Sequence, residues 1–358
     1  MGCFVPTPNL VVDVMALVAM KSVKEFCGIN NVLPIRVVDE DNITIRTADS
    51  GKGMLRSRAS SGVLGNSEST FNPYGRDCTY HSGAFGEQET FAEGQLRVMA
   101  KPGECMNKRW DATEYINQRA YHQFYRAITR IEATIWATLF TGWYTTFDAN
   151  NNSIGRQYYP IRRLVASPFI TDRANSRPLS IFSNIAANIQ DTDVSFFGPD
   201  VEYWLNSTTL LAILENTNPE DLGRFNTGVC CTMLTLDMVN SVFASRGLGK
   251  FKVCDMKYVN NLGVATKFVK DGRVLIKGSL AGAKYGGYFA LVKPFNQPLT
   301  ASASAANRPA LGQLGKGVWF DMIDHRKTSF YKNVDIGTGF DGMPIIERPD
   351  MWISLQLF

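Results

Sequence analysis

Two aspartates and a histidine in the last quarter of the sequence are the first candidates for chemistry. Asp321, Asp324 and His325 lie within five positions, and carboxylates and imidazoles are common metal ligands. Three such residues close together in sequence are weak evidence for a metal site. The other histidines are His81 and His122, and His122 falls in a predicted helix, where a surface or packing role is the simpler interpretation. We expect no metal centre.

A glycine string at residues 337–342 matches the G-x-G-x-x-G pattern of dinucleotide-binding loops. That fingerprint needs a helix directly after the glycines, because the pyrophosphate binds at the helix N-terminus. The residues that follow, Met343-Pro-Ile-Ile-Glu-Arg-Pro, include two prolines, which argue against a helix. The string therefore predicts a glycine-rich turn between strands, and we expect no cofactor.

Signatures of catalysis are missing from the rest of the sequence. It has no Walker A string and no G-x-S-x-G elbow, and its carboxylates form no recognisable acid–base pair. The seven cysteines include no C-x-x-C pair, which disfavours a zinc ribbon or thioredoxin-like site and indicates reduced thiols in a cytosolic setting. We expect that the protein is not an enzyme. A soluble α+β enzyme with residues 51–108 as a lid stays open as an alternative.

The composition argues against a membrane protein and does not by itself indicate a nucleic-acid-binding one. The apolar stretch at residues 10–20 is short and contains Asp13, so we expect no signal peptide and no membrane span. Among the 358 residues, 37 basic and 33 acidic side chains leave a net charge of only +4. Some basic positions near aromatic residues could contact phosphates, although solvated charge or intersubunit salt bridges explain them better. They are Arg56, Arg58, Lys101, Lys108, Arg109, Arg162 and Arg163.

The element that must position most of the chain is a long amphipathic helix, predicted over residues 111–147. Asp111 and Glu114 have the spacing of a capping box, and Gly142 is where the helix would fray. At about 1.5 Å per residue, ~30–36 helical residues span roughly 45–55 Å, which predicts an elongated or plate-like subunit. The apolar stripe is Ile116, Ala120, Phe124, Ile128, Ile131, Ile135 and Leu139, and the charged residues outside it are Arg119, Arg126, Arg130 and Glu132.

Residues 51–108 form a second unusual region. They are rich in glycine, serine, threonine and arginine, and a compact domain rarely carries so long a loop without its own core. Disorder is the simpler alternative, but the aromatic content argues against it. We expect an extended hairpin that gains its burial from a neighbouring subunit. Its aromatic residues are Phe71, Tyr74, Tyr80, Phe85 and Phe91.

The remaining chain alternates between helix and strand patterns. Residues 1–50 suggest an arm that feeds into a sheet, with a strand at 43–46. Helices are predicted at 179–189 and 234–244. Further strands are predicted at 158–165, 250–255, 265–269, 274–276, 318–323 and 351–358, with a tight turn at 270–273. The sequence therefore predicts an α+β fold.

Three stretches of the second half resemble the family called phage major capsid protein E. They are Asp255-Met-Lys-Tyr-Val-Asn-Asn-Leu-Gly, Val269-Lys-Asp-Gly-Arg-Val-Leu-Ile-Lys-Gly, and Gly339-Phe-Asp-Gly-Met-Pro-Ile-Ile-Glu-Arg-Pro-Asp. The order of elements, from arm through extension and long helix to a C-terminal strand, resembles tailed-bacteriophage major capsid proteins of the Hong Kong 97-type fold. None of these motifs is catalytic.

The resemblance implies a division of the chain. Residues 1–50 would be an N-terminal arm and residues 51–108 an E-loop. Residues 109–177 would form the spine helix and peripheral domain, completed by strands within 320–358, and residues 178–319 would form the axial domain. The aromatic and basic residues expected to contact a neighbouring subunit are Phe71, Tyr74, Tyr80, Phe85, Phe91, Arg119, Arg126 and Arg130.

The resemblance also implies a function. The protein would self-assemble as hexamers and pentamers into an icosahedral phage head that encloses double-stranded DNA, contacted non-specifically. Its other partners would be a separate scaffolding protein, a portal and a cement or decoration protein, with assembly in the host cytoplasm and a final location in the virion. An encapsulin-like shell, which packages protein cargo in the same fold, is an alternative. The autocatalytic Lys–Asn cross-link of the type member cannot be placed, since Lys52 lies in the predicted E-loop but has no identifiable partner.

Overall fold

The structure, a computed structural model, describes part of the chain in defined segments. These are residues 26–40, 42–46, 77–92, 112–147, 153–165, 178–189, 194–216, 236–260, 263–281, 284–292, 318–324 and 333–358. Several sequence expectations therefore lie outside the described residues. They include the apolar stretch at 10–20, Lys52, the tip of the predicted E-loop and the capping box at Asp111.

The described residues form four α-helices and sixteen strands. The helices are α1 (Ala112–Thr141), α2 (Pro178–Asn188), α3 (Ser207–Asn216) and α4 (Leu236–Ser245). The first eight strands are β1 (Ile35–Val38), β2 (Asn42–Arg46), β3 (Asp77–His81), β4 (Gly83–Ala92), β5 (Trp143–Phe147), β6 (Ser153–Tyr158), β7 (Arg162–Val165) and β8 (Glu202–Leu205). The others are β9 (Lys250–Val253), β10 (Lys257–Val259), β11 (Ala265–Lys267), β12 (Arg273–Lys277), β13 (Gly287–Val292), β14 (Val318–Asp324), β15 (Asn333–Ile346) and β16 (Trp352–Gln356). A short π-helix, Gly28–Val32, and a 3-10 turn, Pro349–Met351, complete the list.

Helix α1 confirms the predicted stripe and ends at the glycine where fraying was expected, short of residue 147. All seven stripe residues are buried in the core. The helix stops at Thr141, because Gly142 takes a left-handed backbone conformation with φ +70° that ends the run of helical residues. Residues 143–147 were expected to be helical and instead form β5, which pairs with β6. Their aromatic and β-branched side chains favour a strand once the helix has ended.

The first five-stranded sheet is built around the long strand β15. Its order is β1-β13-β15-β14, and β4 pairs with the other side of β15. The β4–β15 ladder is antiparallel and runs from Gly83 opposite Gly342 to Ala92 opposite Asn333. Because β4 and β14 pair with the same part of β15, they must lie on its two opposite edges. Helix α1 packs on this sheet.

The second five-stranded sheet has the order β7-β16-β12-β8-β9. Strands β7 and β16 are parallel, as are β8 and β9, and the two other pairings are antiparallel. The sheet combines strands from the segments expected to form the peripheral domain, β7 and β16, with β12, β8 and β9 from the segment expected to form the axial domain. The segments expected to form the peripheral and axial domains thus share one sheet, and the division into these domains stays a prediction.

An aromatic cluster fixes α2 and α4 against the second sheet. Phe182, Tyr203, Phe243 and Phe251 contact one another in every combination, with ring centroids 4.6–5.6 Å apart. Each such ring pair contributes about 0.5–1.5 kcal/mol beyond the burial of its area. The helices predicted at 179–189 and 234–244 therefore exist as α2 and α4 and share one core with β8 and β9.

Candidate functional site

The candidate site is the contact between β4 and α1, the two elements that carry most of the predicted functional residues. Four alternate residues of β4 share one face of the strand, because side chains of a strand repeat every second position. Each meets one residue of α1. The pairs are Phe85 with Arg130, Glu87 with Arg126, Glu89 with Arg119, and Phe91 with Tyr115. We call this set the β4–α1 ladder.

The two central rungs are bidentate ion pairs. Arg126 donates from Nε to Glu87 Oε2 at 2.8 Å and from Nη2 to Oε1 at 2.6 Å. Arg119 donates to both oxygens of Glu89, with Nε–Oε2 at 3.1 Å, and this contact raises the pKa of the arginine further. Seven helical residues rise about 10.5 Å, whereas two strand residues span only about 6.8 Å. Arg119 and Arg126 on α1 are therefore farther apart along the helix than Glu87 and Glu89 are along β4. The long arginine side chains can reach across that difference.

The two outer rungs are aromatic. The Arg130 guanidinium lies 5.0 Å from the centre of the Phe85 ring, and burial lowers the pKa of this arginine. Phe85 also packs on Phe340 of β15, with ring centroids 5.1 Å apart. Phe91 meets Tyr115 edge to face at 5.6 Å. The ladder therefore joins β4 to the helix along the whole length of the strand.

The structure corrects the burial expected for two aromatic residues of this region. Tyr80 and Phe91 are buried within their own chain. Tyr80 stacks on Tyr159 at 5.3 Å and donates to the carbonyl of Ile346 at 3.2 Å. The expectation that they need a neighbouring subunit for burial is wrong, because contacts within the chain cover them: Tyr80 packs on Tyr159, and Phe91 lies on β4, which pairs with the distant β15.

The remaining predicted contact residues fall into two groups. Phe85 is half-buried, and Arg119, Arg126 and Arg130 all contact β4 of the same chain. Phe71 and Tyr74 lie outside the described residues. Contact with a second copy of the chain stays a prediction for these six.

A buried carboxylate on the same helix was not identified from the sequence. Glu132 is fully buried and accepts three hydrogen bonds: from Gly28 N at 2.6 Å, Ile29 N at 2.9 Å and Trp136 Nε1 at 2.7 Å. Burial raises the pKa of this carboxyl group, while the three donors oppose that rise. A side chain at position 28 would place its Cβ 2.8 Å from Glu132 Oε2, so glycine is the residue that fits there. We call these contacts the Glu132 clasp.

The clasp fixes the segment at residues 26–33 to the body. Lys277 on β12 adds a hydrogen bond from its Nζ to the carbonyl oxygen of Asn31 at 3.2 Å. The one sequence signal that could have revealed the clasp is the pair Glu132 and Trp136, four positions apart. That spacing places a carboxylate beside an indole N–H on one side of a helix.

Exposed apolar side chains mark a second set of candidate surfaces. Val259 and Val264 lie on the β10–β11 hairpin and are 68% and 56% exposed. Val165, at the edge strand β7, is 72% exposed. Single exposed apolar residues are ordinary, but a hairpin that presents two of them is a candidate contact surface.

Two of the seven basic positions considered for phosphate contact can be located. Arg162 and Arg163 are exposed on β7. Nearby in the chain, Arg156 lies 5.7 Å from the Trp143 ring, and Trp143 packs on Tyr158 at 5.0 Å. The other five positions, Arg56, Arg58, Lys101, Lys108 and Arg109, lie outside the described residues.

The glycine string forms no nucleotide loop. Residues 337–342 lie inside the continuous strand β15, so the expected turn is wrong. Pairing with β4 on one edge and with β14 or, at Gly342, β13 on the other holds these glycines in a strand, although glycine alone disfavours one. No helix follows within the described segment 333–358 except a 3-10 turn of three residues.

The aspartates near the glycine string are strand residues. Asp321 is opposite Gly337 and Asp324 opposite Val334 in the β14–β15 pairing, and His325 lies outside the described residues. Across the part of the chain that the structure describes, no group of three or more His, Cys, Asp or Glu residues could hold a metal ion. None of the described helices is long and apolar enough to cross a membrane.

Comparison with known proteins identifies the fold. The structure matches a protein assigned as a prophage capsid protein of Escherichia coli CFT073 over 99% of both chains, with a TM-score of 0.57 and 12% sequence identity. It also matches a phage-related protein from Bordetella bronchiseptica RB50 over 96% of both chains, with a TM-score of 0.52 and 10% identity. The chain has the Hong Kong 97-type capsid fold. The predicted α+β class and the predicted resemblance are confirmed at the level of this fold.

Among the comparisons, only those with solved structures show the Hong Kong 97-type fold. No protein-family model and no curated protein matches the sequence. The likeness to phage major capsid protein E therefore rests on the sequence motifs alone. At 10–12% identity the fold has been retained while most side chains differ, so residue roles must come from this chain's own geometry.

Proposed function

We propose that this protein is the major capsid protein of a phage head. The observation that carries the proposal is the match to a prophage capsid protein over nearly the full length of both chains. A match of that extent includes the long helix and both sheets, with strand β4 paired to β15 in the first of them. The protein would assemble as hexamers and pentamers into an icosahedral shell around double-stranded DNA, and it would act as a structural protein, not an enzyme.

In this proposal the described elements have distinct roles. Helix α1 would be the spine helix, and β4 would be the anchored base of the E-loop at residues 51–108. The β4–α1 ladder would fix the direction in which the loop leaves the subunit. The exposed β10–β11 hairpin would contact a neighbouring subunit, because its two valines lack cover within their own chain.

The proposal includes further partners and a location. A separate scaffolding protein, a portal and a cement or decoration protein would act with the shell, which is assembled in the host cytoplasm and ends in the virion. DNA would be contacted non-specifically, and Arg162 and Arg163 are exposed basic residues available to phosphates.

Sedimentation velocity and electron microscopy test the proposal on the full chain, expressed alone and with its genomic neighbours. We expect shells, or free hexamers and pentamers. A compact, monodisperse monomer under both conditions contradicts the proposal. Shells that contain protein cargo and no DNA identify an encapsulin-like compartment instead.

A variant pair tests the proposed role of the β10–β11 hairpin. Val259→Asp places a charge on the exposed apolar hairpin, and Val259→Thr keeps the branched shape. We expect the aspartate variant to stop at small oligomers and the threonine variant to assemble normally, with both unfolding at the same temperature as the parent. Normal shells from Val259→Asp would exclude the hairpin as an interface.

A further inference from the structure

The two sides of the β5–β6 hairpin have different surroundings. Tyr144 and Gln157 are opposite each other in the pairing and share one side, where Tyr144 is buried and its hydroxyl donates to the carbonyl of Gly342 at 2.9 Å. Because successive side chains of a strand alternate, the neighbouring pair Trp143 and Tyr158 points to the other side. These two rings are 36% and 51% exposed. One side of the hairpin therefore packs on the chain, and the other faces solvent.

The solvent-facing side of the hairpin brings aromatic and cationic groups together. The rings of Trp143 and Tyr158 have centroids 5.0 Å apart and planes tilted by 55°. The Arg156 guanidinium lies over the Trp143 ring, 5.7 Å from its centroid, which is within the range of a cation–π contact. A Cβ atom placed on Gly142 would lie 3.9 Å from both Arg163 Nε and Tyr158 Cε2, so Arg163 of β7 is near the Tyr158 ring. We call Trp143, Tyr158, Arg156 and Arg163 the aromatic–arginine surface.

The charge of this surface is positive and is not balanced within its own strands. The described residues 142–147 and 153–165 contain three arginines and no aspartate or glutamate. Arg156 and Arg163 are both exposed, and none of the ion pairs between described residues includes either of them. A cation–π contact orients a guanidinium and leaves its N–H groups available to a further acceptor. The surface therefore suits an anionic ligand that also has flat faces.

A strand of unpaired nucleotides has both of these properties. Its phosphates accept hydrogen bonds from arginine, and its exposed bases stack on aromatic side chains. In a duplex the base faces are covered by neighbouring base pairs, so exposed rings could not stack on them. An acidic protein segment would satisfy the arginines and bring few flat rings to Trp143 and Tyr158.

We propose that the aromatic–arginine surface binds single-stranded nucleic acid. One base stacks against Trp143 and Tyr158, and the phosphates on either side of it accept hydrogen bonds from Arg156 and Arg163. This activity goes beyond the proposed function, because a double-stranded genome offers phosphates but no open base faces. The surface lies within a single chain, so binding does not require a shell.

Fluorescence anisotropy on unassembled full-length protein, isolated by size-exclusion chromatography, tests this proposal. The probes are a labelled oligodeoxythymidine of about 12 nucleotides, an oligouridine of the same length and a DNA duplex of the same length. We expect the single strands to bind about tenfold more tightly than the duplex, although the duplex carries more charge. A preference between the two single strands supports the site and identifies which nucleic acid it takes.

Substitutions separate stacking from general electrostatic attraction. Trp143→Ala should weaken single-strand binding about tenfold, and Trp143→Phe, which keeps a ring, should restore most of it. Arg156→Ala should weaken binding about threefold and reduce by about one the slope of log affinity against log salt. Lys252→Ala is the matched charge control, because Lys252 is exposed on β9 at the opposite edge of the second sheet from β7. It should bind like the parent.

The same measurements can overturn the proposal. It is wrong if neither single strand binds, if the duplex binds as tightly as the single strands, or if Trp143→Ala loses no more affinity than Lys252→Ala. Loss of assembly in Trp143→Ala, in a protein that binds no oligonucleotide, would identify a subunit interface instead. Equal thermal unfolding midpoints of parent and variants exclude misfolding as the cause of a loss. Shell formation is a separate measurement, so failure of oligonucleotide binding and failure of the capsid proposal are distinguishable.

Discussion

Helix α1 uses charge in two different ways on two of its sides. Towards β4, Arg119 and Arg126 form ion pairs whose side chains are a quarter to a half exposed. Towards the N-terminal segment, the carboxylate of Glu132 is buried, and its partners among the described residues are N–H donors and not cations. Exposed pairs of this kind contribute about 0–1 kcal/mol each. A buried acceptor with three donors contributes far more to stability, because its removal leaves those buried donors without a hydrogen-bond acceptor.

The largest effect is expected from truncating the clasp. Glu132→Ala leaves two buried backbone N–H groups and an indole N–H without their acceptor and opens a cavity. We expect the free energy of unfolding to fall by about 3–5 kcal/mol. Urea denaturation followed by tryptophan fluorescence measures it. Glu132→Gln keeps one acceptor oxygen and nearly the same volume, so it is the matched control. Its free energy of unfolding should fall clearly less than that of Glu132→Ala. An alanine variant within about 1 kcal/mol of the parent would show that the clasp is not a major source of stability.

The next largest effect is expected at Gly28. Gly28→Ala brings a methyl group to within 3.0 Å of the Glu132 carboxylate, and relieving that overlap should cost about 1–3 kcal/mol of unfolding free energy. The same substitution in the Glu132→Ala background should cost less, because the colliding group is gone. A double-mutant cycle measures the difference. Equal costs in both backgrounds would mean that the strain at position 28 does not come from Glu132.

The free energy of unfolding should depend on pH through Glu132, on the side of the helix that faces the N-terminal segment. Burial raises the pKa of Glu132 in the folded chain, so the folded state holds this proton more tightly than the unfolded state does. The stability from this group is therefore fully present below the ordinary glutamate pKa and falls as the pH rises towards the folded pKa. Denaturation at a series of pH values should show this fall in the parent relative to Glu132→Gln. Parallel curves for the two proteins would argue against it.

The smallest effect is expected from the exposed rungs of the ladder. A double-mutant cycle on Arg126 and Glu87, whose side chains are 47% and 46% exposed, should give a coupling energy below about 1 kcal/mol. The coupling should shrink further in high salt, because exposed charges are screened. A coupling of several kcal/mol would mean that an exposed rung of the ladder stabilises the fold as strongly as the clasp does.

The sequence predicted what depends on local spacing. Ile116 to Leu139 repeat at the helical period, so the buried stripe of α1 was visible without any knowledge of its partners. The C-terminal strand β16 and the helices α2 and α4 were predicted for the same reason. The likeness to capsid proteins followed from the order of these elements and a few motifs.

The sequence failed where a distant partner decides the outcome. Phe91 became a core residue because β4 pairs with a strand more than two hundred residues away, and no local pattern shows that pairing. Glu132 is charged, so periodicity alone placed it on the solvent side. The strand β13 was missed because its surroundings are rich in glycine and alanine. Residues 337–342 were expected to form a turn and form a strand for the same reason, since neighbouring strands decide whether glycines turn or extend.

The strand order has a consequence for synthesis on the ribosome. Strand β15 joins β4, β13 and β14, and β16 joins β7 to β12, yet both are translated after all of those partners. While residues 333–356 are still inside the exit tunnel, the earlier strands of both sheets lack the strand that connects them. A nascent chain that has not yet released residues 333–356 therefore has neither five-stranded sheet complete. Both sheets can close only after this segment has left the ribosome.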